Sequence, residues 1–294
     1  MIKSRSEAHG SRVLSRREAT TQLLVTLGGA FAAACGASSV TGAGASDGGS
    51  ASTGSGDDGG AAATGSDAAT TTVVDGSSWA SGGTAAMTAK ASYPNPFASA
   101  AATCTAMLSV TEGPCTEAQD QVRQDISEGF AGLPVRLALR VVDASCQPVS
   151  GATVKIWHTQ KTGSYSGNTP NPGMCLKDQS DSAKHYFRGF QTADADGRVD
   201  FDTCLPGWYR GRTVHIHYTV GHNGKTFTSQ LVFDQALVAS IFASHPDYAA
   251  YGPPDTTNAS DNVVGGKDLS TFVLDTQRMS DGAMLASKTL VVSV

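Results

Sequence analysis

The chain has 294 residues, 40% of them hydrophobic, with 21 lysines and arginines against 26 acidic residues and a net charge of −5. No basic cluster lies outside the N-terminus, which argues against a nucleic-acid-binding surface. The length accommodates one or two domains, and the mild acidity says nothing about a small-molecule substrate.

In chain order, Lys3, Arg5, Arg12, Arg16 and Arg17 precede an apolar stretch from Leu23 to Ala34. That is the pattern of an export signal over residues 1–35, too short to span a bilayer comfortably. The Arg16-Arg17 pair points to twin-arginine export of a folded protein from a bacterial cytoplasm, to the periplasm, the envelope or the medium. Ala32-Ala33-Ala34-Cys35-Gly36 resembles a lipoprotein cleavage box, so Cys35 is a candidate lipid anchor, with simple cleavage nearby as the alternative. Residues 36–92 are dominated by Gly, Ala, Ser and Thr and read as a disordered tether, because they offer too little apolar surface to offset the entropy of ordering. The folded domain is expected over residues 93–294. Six cysteines fit an oxidising compartment. The expected pairs are Cys104 with Cys146 and Cys175 with Cys204, leaving Cys115 as a spare thiol or an alternative partner.

From Leu133 onward the hydrophobic pattern is two-fold. Strands are predicted at residues 135–142, 152–157, 198–202, 213–220, 227–233, 271–275 and 288–294, separated by turns such as Asp194-Ala195-Asp196-Gly197 and His222-Asn223-Gly224. Helices are predicted only at 235–243 and, less regularly, at 117–126. Many short strands with few helices indicate an all-β fold, an antiparallel β-sandwich. Two long irregular stretches, 163–184 and 248–266, are candidate active-site loops.

The most informative motif is Pro206-Gly207-Trp208-Tyr209-Arg210-Gly211-Arg212-Thr213-Val214-His215-Ile216-His217. Side chains alternate along a strand, so His215 and His217 share a face, with Cα atoms roughly 7 Å apart, close enough for two imidazoles to meet on one metal ion. Val214, Ile216, Tyr218 and Val220 then form the opposite, core-facing side. Taken alone, a His-x-His pair is more often two polar residues on a solvent face than a metal site. The nearby Tyr209 and Arg212, and Tyr165 after the turn that follows Trp157, add oxygen-donor and anion-binding chemistry. His158 reads as structural, and His185, His222 and His245 as solvent-facing turn residues.

Thr111-Glu112-Gly113-Pro114, Arg123-Gln124-Asp125-Ile126, Gly132-Leu133-Pro134, Ile156-Trp157-His158, Gly163-Ser164-Tyr165-Ser166-Gly167, Phe187-Arg188-Gly189-Phe190-Gln191-Thr192, the histidine motif and Ser229-Gln230-Leu231-Val232-Phe233 follow one another in a fixed order. This ordered set resembles the intradiol ring-cleavage dioxygenases, especially their secreted single-domain members, and more distantly the protocatechuate and catechol dioxygenases. The resemblance runs from about Cys104 to Asp261. It implies a mononuclear non-haem Fe(III) held by Tyr165, Tyr209, His215 and His217, with Tyr209 leaving as a catechol-type substrate binds and taking a substrate proton. Arg212 is implied to stabilise negative charge developing on the substrate, and Gln230 to sit beside it. The donor set agrees with that metal, because phenolates are hard anionic ligands suited to a hard trivalent ion. The implied reaction inserts both atoms of O2 and yields a cis,cis-muconate-type diacid. Cys115 stands where the family usually carries an aromatic residue, which leaves the substrate open among catechol, protocatechuate, hydroxyquinol and lignin-derived phenols. No counterpart of the catechol enzymes' helical dimerisation domain is expected, so the oligomeric state is open. Two alternatives stand: a non-catalytic β-sandwich binding module on the same scaffold, and the same ligands around copper or zinc.

Overall fold

Strand β1 (Pro134–Val142) is buried along nearly its whole length, and it sits inside a sheet rather than at its edge. The computed structural model describes residues 78–99, 104–118 and 120–294. The expected export signal, Cys35 and the expected tether up to residue 77 lie outside the described residues. After β1 come β2 (Thr153–Trp157), β3 (Arg188–Thr192), β4 (Arg198–Cys204), β5 (His215–His222), β6 (Lys225–Val232), β7 (Asp275–Arg278) and β8 (Met284–Val291). They form two four-stranded sheets, in the orders β4-β1-β8-β7 and β3-β2-β5-β6. The all-β sandwich is therefore as expected, with one difference: β1 and β8 run parallel, so the first sheet is mixed.

The core lies between the sheets. Val135, Leu137 and Leu139 of β1, Val199 and Phe201 of β4, Met284 and Ala286 of β8 meet Val154 and Ile156 of β2 and Ile216, Tyr218 and Val220 of β5 in a single apolar cluster. Helix α2 (Gln235–Ser244), capped by the Asp234 carboxylate accepting from Leu237 N, adds Leu237, Val238, Ile241 and Phe242 to it. The second, four-residue helix α1 (Pro172–Cys175) lies in the 163–184 loop and not at 117–126. Residues 120–126 form no helix and instead carry isolated bridges from Val122 to Phe190 and from Asp125 to Asp202. Their backbone groups are drawn to the sheets: Arg123 N donates to Phe190 O and Phe190 N to Gln121 O. The strand expected at 271–275 begins at Asp275, after a 3-10 turn over Leu269–Thr271, and the last strand lies at 284–291 rather than 288–294.

The cystines are Cys104–Cys146, as expected, and Cys115–Cys175. The expected Cys175–Cys204 pair is not formed; Cys204, at the end of β4, is a buried free thiol near Phe130 O and Tyr248. Its strand position fixes it away from Cys175, which sits on a loop over the outer face of the other sheet together with Trp157 and Tyr165.

The tether boundary also moves. Residues 78–92 are folded onto the domain. Trp79 is 6% exposed and belongs to the main core cluster, and Met87 is 3% exposed. Ala80 N donates to Gly282 O, Gly83 N to Gly132 O, and the Arg278 guanidinium to Ser78 O. His245, expected at the surface, is fully buried; its ring nitrogens meet Ala80 O at 3.0 Å and Asp247 N at 3.1 Å. Composition alone hides this strap, because one indole among small residues suffices to anchor it. Trp79→Ala should cost about 3 kcal/mol of stability, from the cavity and lost burial, measured by urea unfolding; an unchanged midpoint would show the strap to be dispensable.

Candidate metal centre

Strand β5 presents Ile216, Tyr218 and Val220 to the core and turns His215 and His217 to the outer face of the second sheet. A single rung crosses that sheet at this level: Arg188 of β3 pairs with Trp157 of β2, Trp157 with His217 of β5, and His217 with Gln230 of β6. All four residues are at most 2% exposed. The Trp157 and His217 rings stack at 4.8 Å with an interplanar angle of 8°. Trp157 thus holds one face of the imidazole, whose Nδ1 has no hydrogen-bond partner in the protein.

The two tyrosines arrive on loops. The β2–β3 loop makes a tight turn, with Gly163 N donating to Gln160 O and Gln160 N to Ser164 O. Gly163 has a φ of +80°, and a Cβ there would collide with Trp208 O at 2.1 Å, so only glycine permits the close approach. The turn delivers Tyr165 into the cluster formed with Trp157, Leu176 and the Cys115–Cys175 cystine. The β4–β5 segment brings Tyr209 from the other side. It is lashed to the first loop by Gly207 N donating to Gln160 O and by the Thr159 hydroxyl donating to Gly207 O at 2.6 Å. The Thr111–Pro114 segment passes over the site; Gly113 has a φ of +75°, and a Cβ on it would lie 3.3 Å from His217 Cε1.

Four donor atoms converge. Tyr165 Oη lies 3.0 Å from His217 Nε2, 3.2 Å from His215 Nε2 and 3.4 Å from Tyr209 Oη. His215 Nε2 lies 3.1 Å from His217 Nε2 and 3.3 Å from Tyr209 Oη. Donors bonded to a first-row metal at about 2 Å stand roughly 3 Å apart, which is the separation found here. The His215 tautomer follows from chemistry: Nδ1 lies 2.6 Å from Thr213 O, which can only accept, so Nδ1 carries the proton and Nε2 offers its lone pair to the cluster. Among the described residues no group of three or more His, Cys, Asp or Glu side chains is assembled for a metal. Two phenols and two imidazoles instead suit a hard, highly charged ion better than copper or zinc.

Electrostatics agree. Burial raises the Tyr165 pKa well above its ordinary value, with Tyr209 close by adding to the effect. Burial raises that of Tyr209 too, opposed by the Arg212 charge. Burial, assisted by Arg212, lowers His215 to about 3, and burial together with His215 lowers His217 well below its ordinary value. Without a cation the cluster is four neutral groups crowded around one point. A trivalent ion reverses the preference of the phenols by stabilising their anions.

Arg212 and Gln230 sit beside this cluster. Arg212 Nε donates to Asp261 Oδ2 at 2.9 Å, and its Nη2 donates to Gln230 Oε1. Gln230 is fully buried and its Nε2 donates to Thr111 O, so both ends of the amide are engaged within the protein. The structure therefore places Gln230 where it orients Arg212 and the Thr111 segment, not where it offers a free polar group. Asp261 is the anchor the sequence did not single out. It also accepts from the backbone N–H of Thr213, Val263 and Val264, and these bonds and Arg212 hold its carboxyl below the usual range despite burial. Its position in an irregular loop carries no pattern. Trp157 and Arg188 lay inside recognisable motifs without an assigned role. His158 is structural, as expected: buried, with Nδ1 2.8 Å from Thr159 O and Nε2 2.8 Å from Thr203 Oγ1. His185 is half-buried, with Nδ1 3.0 Å from Glu117 Oε2, rather than free in solvent.

Residues 109–247 match the family model Dioxygenase_C, described as dioxygenase. Among solved structures, the intradiol ring-cleavage dioxygenase from Tetranychus urticae is 29% identical with a TM-score of 0.57, over 64% of this chain and 94% of that one. The dioxygenase domain of a dioxygenase carbohydrate-binding protein fusion from Streptomyces sp. SirexAA-E is 21% identical with a TM-score of 0.46, over 65% and 99% of the two chains. The 3-chlorocatechol 1,2-dioxygenase from Rhodococcus opacus 1CP is 19% identical with a TM-score of 0.45, over 62% and 70%. No curated protein matches the chain. The family-model match and the likeness to the Tetranychus urticae enzyme agree with the resemblance to the intradiol ring-cleavage dioxygenases read from the sequence.

Two measurements probe this centre. Asp261→Ala should cost about 3 kcal/mol, because it strands the Arg212 charge and three backbone N–H groups, and denaturant unfolding checks this. Acid stability is the second. Unfolded histidines titrate near 6.5, whereas burial lowers folded His158 to about 4 and His215 to about 3. Below about pH 6.5 the unfolded chain takes up protons that the folded, metal-free domain refuses. This contribution is complete above pH 6.5 and is lost as pH falls toward 4. The melting temperature of metal-free protein should therefore drop across that window, with a shallower slope in His158→Gln.

Proposed function

We propose that the domain is a non-haem Fe(III) intradiol dioxygenase that inserts both atoms of O2 into a catechol-type aromatic to give a cis,cis-muconate-type diacid. The observation that carries this reading is the convergence of the Tyr165, Tyr209, His215 and His217 donor atoms, five of whose six pairwise separations are 3.0–3.4 Å. These four residues would hold the iron, which when bound supplies the Lewis acidity and redox character that make a chelated catecholate reactive toward O2.

The chain's own groups divide the remaining work. Tyr165 is 2% exposed and fixed by its loop, so it serves as a permanent ligand. Tyr209 is half-buried at the open side, and its oxygen, which would be a phenolate with the metal bound, could accept the proton of an incoming substrate hydroxyl. Arg212, held by Asp261 and Gln230, supplies a fixed positive charge near the anionic substrate, where a preorganised charge lowers the barrier without reorganisation. The buried Trp157 and the Cys115–Cys175 cystine wall the back of the site and exclude water from it. Export by the twin-arginine route is part of the proposal: it would let iron be acquired by folded protein before the cystines form, and it rests on the Arg16-Arg17 motif.

The test is metal content and visible absorption of the purified protein, before and after anaerobic addition of catechol. Stoichiometric iron with a tyrosinate charge-transfer band that shifts on catechol is the expected result. A colourless protein that cannot be loaded with ferric iron would overturn the proposal in favour of a non-catalytic scaffold. Tyr209→Phe should abolish the catechol-induced shift associated with Tyr209 leaving and lower turnover at least a hundredfold, the scale of a lost general base.

A further inference from the structure

Arg188 closes the rung opposite the metal ligands and is 1% exposed. A guanidinium buried this deeply is costly unless its donors are engaged. Its Nε donates to Ser166 Oγ at 3.2 Å, and its Nη2 donates to Ser166 O and, at 3.2 Å, to Cys115 O. Nη1 makes no hydrogen bond; it lies 3.8 Å from Asp120 Oδ1, and Nε lies 3.7 Å from Glu117 Oε2. The charge is thus compensated at longer range by two carboxylates, while the directional bonds are spent on the backbones of two loops. Ser166 is the residue after Tyr165. Cys115 ends the Thr111–Pro114 segment and is bridged to Cys175, whose carbonyl accepts from Tyr165 N at 2.9 Å. Tyr165 thus lies between Ser166, which Arg188 holds, and the Cys175 carbonyl, which the cystine holds, while its own carbonyl accepts from the Tyr186 and Ser164 hydroxyls.

We propose that Arg188 is a positioning residue for Tyr165: one planar fork ties the Tyr165 loop and the Thr111–Cys115 segment to strand β3, in line with Trp157 and His217, and so fixes the distance between Tyr165 Oη and the His217 imidazole. Lysine cannot replace it fully, because a single ammonium lacks the rigid planar fork that serves both loops at once. The hydrogen bonds of Arg188 go to Ser166 and Cys115, whereas the Tyr209 segment is tied through Gly207 to Gln160 and Thr159, so the clamp acts on one tyrosine only. The inference about the metal rests on the ferric reading above, whereas the clamp itself does not.

The experiment compares full-length wild type with Arg188→Met and Arg188→Lys. In the metal-free proteins, hydrogen exchange followed by mass spectrometry should show amides of residues 164–176 exchanging at least tenfold faster in Arg188→Met, with β1 and β8 unchanged and Arg188→Lys intermediate. After ferric loading, the Arg188→Met spectrum should move toward that of Tyr165→Phe, and its ferric Kd should weaken about tenfold or more. Trp79→Ala, which loosens the domain elsewhere, should leave both the exchange of 164–176 and the spectrum in place. Unchanged exchange in 164–176 and an unchanged spectrum would overturn the role; should Arg188→Met not fold, Arg188→Lys decides by the same readouts. If wild type binds no ferric iron, the ferric reading fails while the exchange data still decide the clamp.

Discussion

The site depends on one row of four side chains across the second sheet. Arg188, Trp157, His217 and Gln230 stand opposite one another on β3, β2, β5 and β6. Because the rung is set by backbone register, none of the four can shift without sliding a strand, and a slip of one residue would exchange the whole core face for the outer one. The interior of the sandwich therefore enforces the geometry of the outer face: Ile216 and Tyr218, locked in the core, fix where His215 and His217 point. What the sheet cannot supply, the oxygen donors, comes from loops: the Tyr165 loop is tied to the rung by Arg188, and the Tyr209 segment is tied to that loop through Gly207.

This division explains what could be read from the chain and what could not. The His-x-His spacing is a local property, and alternation alone placed both imidazoles on one face. The strands at 135–142, 152–157 and 227–233 carried the same local signature. Apart from shifted strand ends, the errors are non-local. Residues 117–126 have a helix-compatible composition, yet their backbone groups are claimed by β3 and β4. The β1–β8 pair is parallel because the chain closes on itself after a long excursion, which no window of sequence records. The cystine partners depend on which face of which sheet each cysteine occupies, so Cys175 joined Cys115 rather than Cys204. Asp261 carried no signal because its importance comes from the partners it meets.

The two tyrosines are chemically alike and structurally unequal. Tyr165 is enclosed by Trp157, Leu176 and a cystine, and its backbone is held on both sides; Tyr209 only packs against that cluster and stays half-buried. On the proposed ferric reading, this inequality is what would let one ligand exchange while the other three stay in place. The anchoring of Arg212 by Asp261 and Gln230 applies the same principle to charge, since a guanidinium that need not reorganise interacts more strongly with a developing anion than a mobile one.

The parallel pairing of β1 with β8 has a consequence for biosynthesis. β8 lies inside its sheet, between β1 and β7, although it is the last strand of the chain. During synthesis β1 leaves the ribosome early and must keep one of its edges unpaired until nearly the whole domain has followed. Long-range pairing of this kind is slow and exposes a sticky edge. The first sheet thus cannot be completed before β8 has been made, and loss of β8 would remove the middle of that sheet instead of its fringe.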